Sequence, residues 1–159
     1  MPSLTHVTAA LSAVLWLALP TFVAAQAPPG VAHVGKARQN WILQCQGCHR
    51  ADASGTAETT PAMNGIIAKF LKVPGGREFL VQVPGVATAP LSDDALASLV
   101  NWTLWTFDKD NLPGDFVPYS AREVGGLRKN PLRVDTDKKR AALVALIEQL
   151  EARETSADK

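Results

Sequence analysis

The two cysteines of this 159-residue chain lie three positions apart, in Cys45-Gln46-Gly47-Cys48-His49. Two thiols at that spacing can each form a thioether to a vinyl group on one edge of a porphyrin. The residue after the second thiol can then turn its imidazole under the iron. The pattern is the attachment signature of covalent haem. Cys45 and Cys48 are therefore the candidate attachment points, and His49 is the candidate iron ligand through Nε2. The other readings of a paired-cysteine motif account for this pattern less well. A disulfide needs no histidine behind the second cysteine. A thioredoxin-like redox pair needs strands around the motif, and the flanks read as helix. A structural zinc site needs about four ligands, and there is no second cysteine pair.

Helical periodicity surrounds the motif. Val34, Arg38, Trp41, Ile42 and Cys45 recur at spacings of three and four, with Ala37 on the same side, and predict a helix over 31–45. Residues 50–60 are small and polar and read as loop, and 61–65 as a turn. Ile66, Ile67, Phe70 and Leu71 predict a short helical stripe that Pro74-Gly75-Gly76 ends. Residues 77–83 fit a helical turn or an extended piece, and 83–90, with two prolines and a glycine, reads as loop. Ser92 is an N-cap, and Asp93 and Asp94 sit where the helix dipole favours negative charge. Leu96, Leu99, Val100, Trp102, Thr103 and Phe107 then mark the apolar face of a helix over 93–107. Ser120-Ala121-Arg122-Glu123 matches a capping box and predicts a short helix to Arg128. Leu143, Leu146, Ile147 and Leu150 line one side of a final helix over 136–153. No stretch predicts a strand, so the expected class is all-α. The short lead 26–30 shows no pattern that would fold.

With 47% hydrophobic and 19% charged residues the chain is globular in composition. Its formal net charge of +1 lacks the basic excess that nucleic-acid binding requires. The charge is uneven: +4 over 36–77, −5 over 78–115, +4 over 122–140 and −2 over 141–159. Such blocks either steer a charged partner or are ordinary surface patchiness. At the N-terminus, Val7 to Leu19 is almost wholly apolar, Pro20 breaks the run, and Val23-Ala24-Ala25-Gln26-Ala27 is rich in small residues. That order predicts a secretory signal over 1–25 and export to the periplasm. The rival, an uncleaved membrane anchor, has an apolar run short of the ~20 residues a span needs.

On these motifs, residues 33–107 resemble the class I c-type cytochrome family. Ala37 and Trp41 ahead of Cys45 stand where the family has a small residue and an aromatic. Leu99 and Trp102 match their partners on the last core helix. Leu91-Ser92-Asp93-Asp94 looks like the entry to that helix. Pro61-Ala62-Met63-Asn64-Gly65 looks like the family's Pro-x-Leu-x-Gly turn. The resemblance implies an all-α class I cytochrome c core over 31–107, carrying a C-terminal helical extension over 108–159. It implies one covalent haem c with its iron, held by Cys45, Cys48 and His49. The Pro61 carbonyl would accept the Nδ1–H of His49 and so fix the tautomer that turns Nε2 to the iron.

The family usually brings a methionine to the far face of the haem from the loop before its last core helix. Here residues 81–90 contain no Met, His, Lys or Cys. Met63 stands where the family's turn has Leu, on the histidine side, and reads as an axial ligand or as packing beside the ring. His33, Lys69, Lys72 and Tyr119 are further candidates that no pattern marks. A sixth position left to water or an external ligand is the remaining option. Trp102 and Trp105, three apart, read as core or as an electron relay. The implied function is one-electron transfer, without catalysis, between redox protein partners: a donor dehydrogenase or reductase and an acceptor oxidase or cytochrome. The basic stretch 36–77 is expected to help form the docking face, through Lys36, Lys69 and Lys72. Two alternatives stand beside it. One is a haem protein with an open sixth position, for small ligands or peroxide chemistry. The other is a haem-bearing subunit that its tail anchors in a larger dehydrogenase.

Overall fold

The computed structural model describes residues 26–56 and 59–157; the predicted signal over 1–25 lies outside them. In chain order the helices are α1 (Val34–Gln44), α2 (Gln46–His49), α3 (Gly76–Gln82), α4 (Pro84–Ala87), α5 (Asp93–Asp108), α6 (Ala121–Leu127) and α7 (Thr136–Ala157). Two 3-10 segments, Ile67–Lys72 and Lys109–Asn111, link them. The fold is all-α. Among the described residues no helix is long and apolar enough to cross a membrane.

α5 is the axis of the molecule. Ser92 Oγ accepts from the Ala95 N–H (3.3 Å) and starts the helix, with Asp93 and Asp94 in its first turn. Leu96, Leu99, Trp102 and Leu104 are all buried, so α5 is covered on more than the one face its pattern marks. α1 crosses α5 through Ala37 and Trp41. The Trp41 ring lies 6.1 Å from Trp102 and 4.7 Å from Phe107, centroid to centroid. The buried line of α1 is narrower than the predicted stripe, since Val34 and Ile42 are each 42% exposed. A helix packed against a single neighbour buries only the residues one turn apart on the touching side, here Ala37 and Trp41.

Of residues 77–83, all but Val83 are helical in α3, and the expected loop over 83–90 contains the single turn α4. Pro84 occupies the first turn of α4, where its fixed φ and missing N–H cost nothing. The predicted capping box is half formed. Ser120 Oγ accepts from the Glu123 N–H (3.2 Å), but the Glu123 carboxylate turns away to Arg77.

The tail packs on the same core. Tyr119, Val124, Leu143 and Ile147 join the apolar cluster that holds Trp41, Phe79 and Leu104. Leu146, expected on the buried stripe of α7, is 41% exposed. The lead 26–30, expected to have no reason to fold, is tied to the core at its last residue, Gly30. The buried Asn101 side chain donates to the Gly30 carbonyl (3.4 Å) and the Tyr119 carbonyl (3.0 Å), and accepts from the Tyr119 N–H (2.8 Å). Gly30 has φ +70°, and a Cβ there would overlap Asn101 and Pro118.

Candidate functional site

The site grows out of the end of α1. The Cys45 N–H closes the last turn on the Trp41 carbonyl (2.9 Å), and the Cys48 and His49 N–H groups bond back to the Cys45 carbonyl (3.2 and 3.0 Å). One helical turn therefore sets Cys45, Cys48 and His49 on a common side. Both cysteines are free; Cys45 is half-buried and Cys48 exposed. Burial, with repulsion from Cys48 added, pushes the Cys45 thiol up to about 11. Both effects favour the protonated thiol.

Beyond His49 the chain reverses. Arg50 takes φ +64° and the buried Ala53 φ +60°, a left-handed conformation uncommon outside glycine. The Gly55 N–H donates to the His49 carbonyl (3.1 Å), and the Met63 N–H donates to the Ala53 carbonyl (2.9 Å). These bonds bring the 61–65 turn behind the histidine. His49 is half-buried, with its ring 6.2 Å from Trp41. Burial draws its pKa below the usual histidine range, and the Pro61 carbonyl partly opposes that. Nδ1 is buried and falls short of a full hydrogen bond. The neutral imidazole is favoured, with Nδ1 turned to Pro61, which leaves Nε2 as the nitrogen for a metal.

Beside Cys45 opens a small, solvent-facing cleft. α1 contributes Trp41 and Cys45 to it, the turn contributes Met63, and α3 contributes Leu80. Gly85, Val86 and Ala89 add a wall from α4 and the chain after it, and Leu99 and Thr103 of α5 line it as well. The walls are almost wholly apolar. The Thr103 hydroxyl is spent on the Leu99 carbonyl (2.9 Å). The Trp41 indole N–H is buried without a partner. Two thiols, a neutral imidazole and an apolar cleft form a donor set and a surface that fit a haem ring.

Cys45, Cys48, His49 and Pro61 are thus brought together. Two of the other candidates are engaged elsewhere. Tyr119 is buried and donates its hydroxyl to the Arg77 carbonyl (2.7 Å). Lys69 is paired with Glu151 at 2.7 Å. That pairing also reduces its value for a docking face, while Lys72 and Lys36 stay exposed. His33 is exposed at the start of α1. Trp102 is buried and edge-on to Phe107 (5.6 Å), as core packing predicts. Sequence reasoning missed Arg128, whose role depends on backbone carbonyls far away in the chain. It also missed Asp108, buried at the end of α5, which accepts from the Ala68 N–H (2.7 Å) and the Asn111 amide (2.6 Å).

Two curated proteins of Thermus thermophilus, both named cytochrome c-552, are 30% identical to this chain over 123 aligned residues. The alignment takes in 63% of this chain, 92% of one relative and 82% of the other. No family model matches the chain, and no solved structure matches it.

Proposed function

Since this chain belongs to the c-type cytochrome family, we propose that it holds one haem c and passes single electrons between redox proteins in the periplasm. Cys45 and Cys48 are the thioether positions and His49 the iron ligand. Pro61 holds the histidine tautomer. The observation that carries this reading is the convergence of the two free thiols, the Pro61-facing His49 and the apolar cleft at Cys45. The haem iron supplies a one-electron couple. The residues would do the rest: the two cysteine sulfurs would keep the ring from leaving, His49 would bind the iron, and the apolar walls would exclude water and so help set the potential. The exposed Cys48 marks the edge open to partners. The predicted signal over 1–25 supports export. The donor is a dehydrogenase or reductase, and the acceptor an oxidase or another cytochrome.

The pyridine haemochrome of the purified protein tests the assignment. A c-type spectrum is expected in the wild type, and Cys48→Ala should shift it towards that of a haem with one thioether. A wild type without covalent haem sinks the reading.

A second reading concerns the sixth position. The wall formed by Leu80, Gly85, Val86 and Ala89 is aliphatic. Met63, the thioether of the cleft, is anchored through Ala53 on the loop that also carries Pro61. That placement favours Met63 as packing, with the sixth position open to a small ligand. A high-spin ferric spectrum supports it; a low-spin spectrum with a thioether–iron band returns Met63 to the iron.

A further inference from the structure

We infer that Arg128 is a positioning residue for the haem cleft, clamping the chain between α4 and α5 so that this wall stays closed against the ring. The inference rests on the haem reading above. It answers what part of the C-terminal extension does for the site.

The Arg128 guanidinium reaches three alternate carbonyls of one short connection. Nε donates to Ala87 (3.0 Å), one terminal nitrogen to Ala89 (2.5 Å) and the other to Leu91 (2.8 Å). The last also meets the Asp93 carboxylate at 3.2 Å. The side chain is only 17% exposed, so these carbonyls have little water to replace it, and an unpartnered carbonyl there is costly. The connection is part of the cleft itself, to which it and α4 contribute Gly85, Val86 and Ala89. Four bonds from one rigid planar group fix its distance from α6.

α6 is in turn held from both ends. At its start Glu123 pairs with Arg77 through two bonds (2.6 and 2.9 Å), and Arg77 also donates to the Val117 carbonyl (2.9 Å). Arg77 belongs to α3, which brings Leu80 to the same cleft. In its middle, Gly125 lies so close to Asp93 that a Cβ would overlap the carboxylate. α6 therefore runs close to the start of α5, and Arg128, one turn after Gly125, reaches the connection. A lysine cannot replace it, because a compact ammonium on a flexible stem cannot span three carbonyls in a plane.

The test compares holoprotein carrying Arg128→Met, Arg128→Lys or, as a control on the tail, Glu151→Gln. Three quantities are read: the rate at which imidazole binds the ferric protein, the reduction potential, and the thermal midpoint. Both Arg128 variants should bind imidazole roughly tenfold faster or more. Both should also have a lower potential, since water at the iron favours the ferric charge. Glu151→Gln should leave rate and potential as in the wild type. A wild-type rate and potential in Arg128→Lys would overturn the inference, because charge alone would then suffice. The same values in Arg128→Met, with only the thermal midpoint lowered, would also overturn it. If Arg128→Met does not fold, Arg128→Lys decides. A wild type that shows no c-type haemochrome removes the function reading and this inference together, whereas a haemochrome with unchanged rates removes the inference alone.

Discussion

Tyr119 is held by its backbone, its hydroxyl and its ring. Both of its backbone polar groups bond to Asn101, its hydroxyl donates to the Arg77 carbonyl, and the Arg77 guanidinium lies 4.0 Å over its ring. Burial holds the phenol well above the usual tyrosine range, with Arg77 offsetting part of that. A pKa raised in the folded state contributes stability that is complete below the unfolded value of about 10 and is lost as pH climbs beyond it. Tyr119→Phe should therefore cost about 1 kcal/mol at neutral pH, for the lost hydrogen bond. The gap between the two proteins should narrow above about pH 10, where the unfolded wild-type chain gains by ionising. Urea midpoints across that range check it; a constant gap refutes the assignment. Asn101 is the residue-scale counterpart on α5, a polar side chain inside an apolar helix that ties the lead to the tail.

At the scale of elements, α6 and α7 are parts of the fold and not appendages. α7 buries Leu143 and Ile147, and its Glu151 pairs with Lys69 of the 3-10 segment. That ion pair is partly exposed and contributes little; the apolar contact does the holding. Leu143 is 2% exposed and Leu146 is 41% exposed. Leu143→Ala should cost about 2–5 kcal/mol, as large-to-small changes in cores do. Leu146→Ala should stay within roughly 0.5 kcal/mol. Denaturation of the holoprotein distinguishes them, and equal losses would mean that α7 sits differently. The same logic explains why both serine caps were legible while the partner of the Glu123 carboxylate was not. A serine before an acidic first turn is a local signal, but Glu123 answers to Arg77, 46 residues away.

Over the whole molecule, exposed apolar side chains precede the Cys45–His49 motif in the chain, and two lysines of the basic stretch stay exposed. Ile42 and Leu43 are exposed (42% and 66%) a few residues before the exposed Cys48, and Lys36 and Lys72 remain free of the pairing that occupies Lys69. Transient redox docking is small in area and guided by charge. Lys36→Glu with Lys72→Glu should slow electron exchange with an acidic donor and flatten its dependence on ionic strength, because steering falls as salt screens it. Stopped-flow reduction at low and high salt measures both. Unchanged kinetics would leave the basic stretch as surface patchiness.

The proposed attachment chemistry is written locally. Cys45, Cys48 and His49 lie within one helical turn, so their spacing alone brings them to one side, and the periodic faces of α1, α5 and α7 announce an all-α class. What lies between distant segments is not written locally. Which residues of each stripe are buried depends on the neighbouring helix, which is why Val34, Ile42 and Leu146 face solvent. The turn α4 follows from a proline that suits a first turn as well as a loop. Asn101, Asp108 and Arg128 look like ordinary polar residues until the chain folds, because their partners are backbone groups of other elements. The sequence by itself determined the donor set and the helical class, both products of short-range spacing. Only the tertiary structure decided how the cleft is walled and clamped, because hydrogen bonds to remote carbonyls and the burial of a face exist only once separate elements have packed.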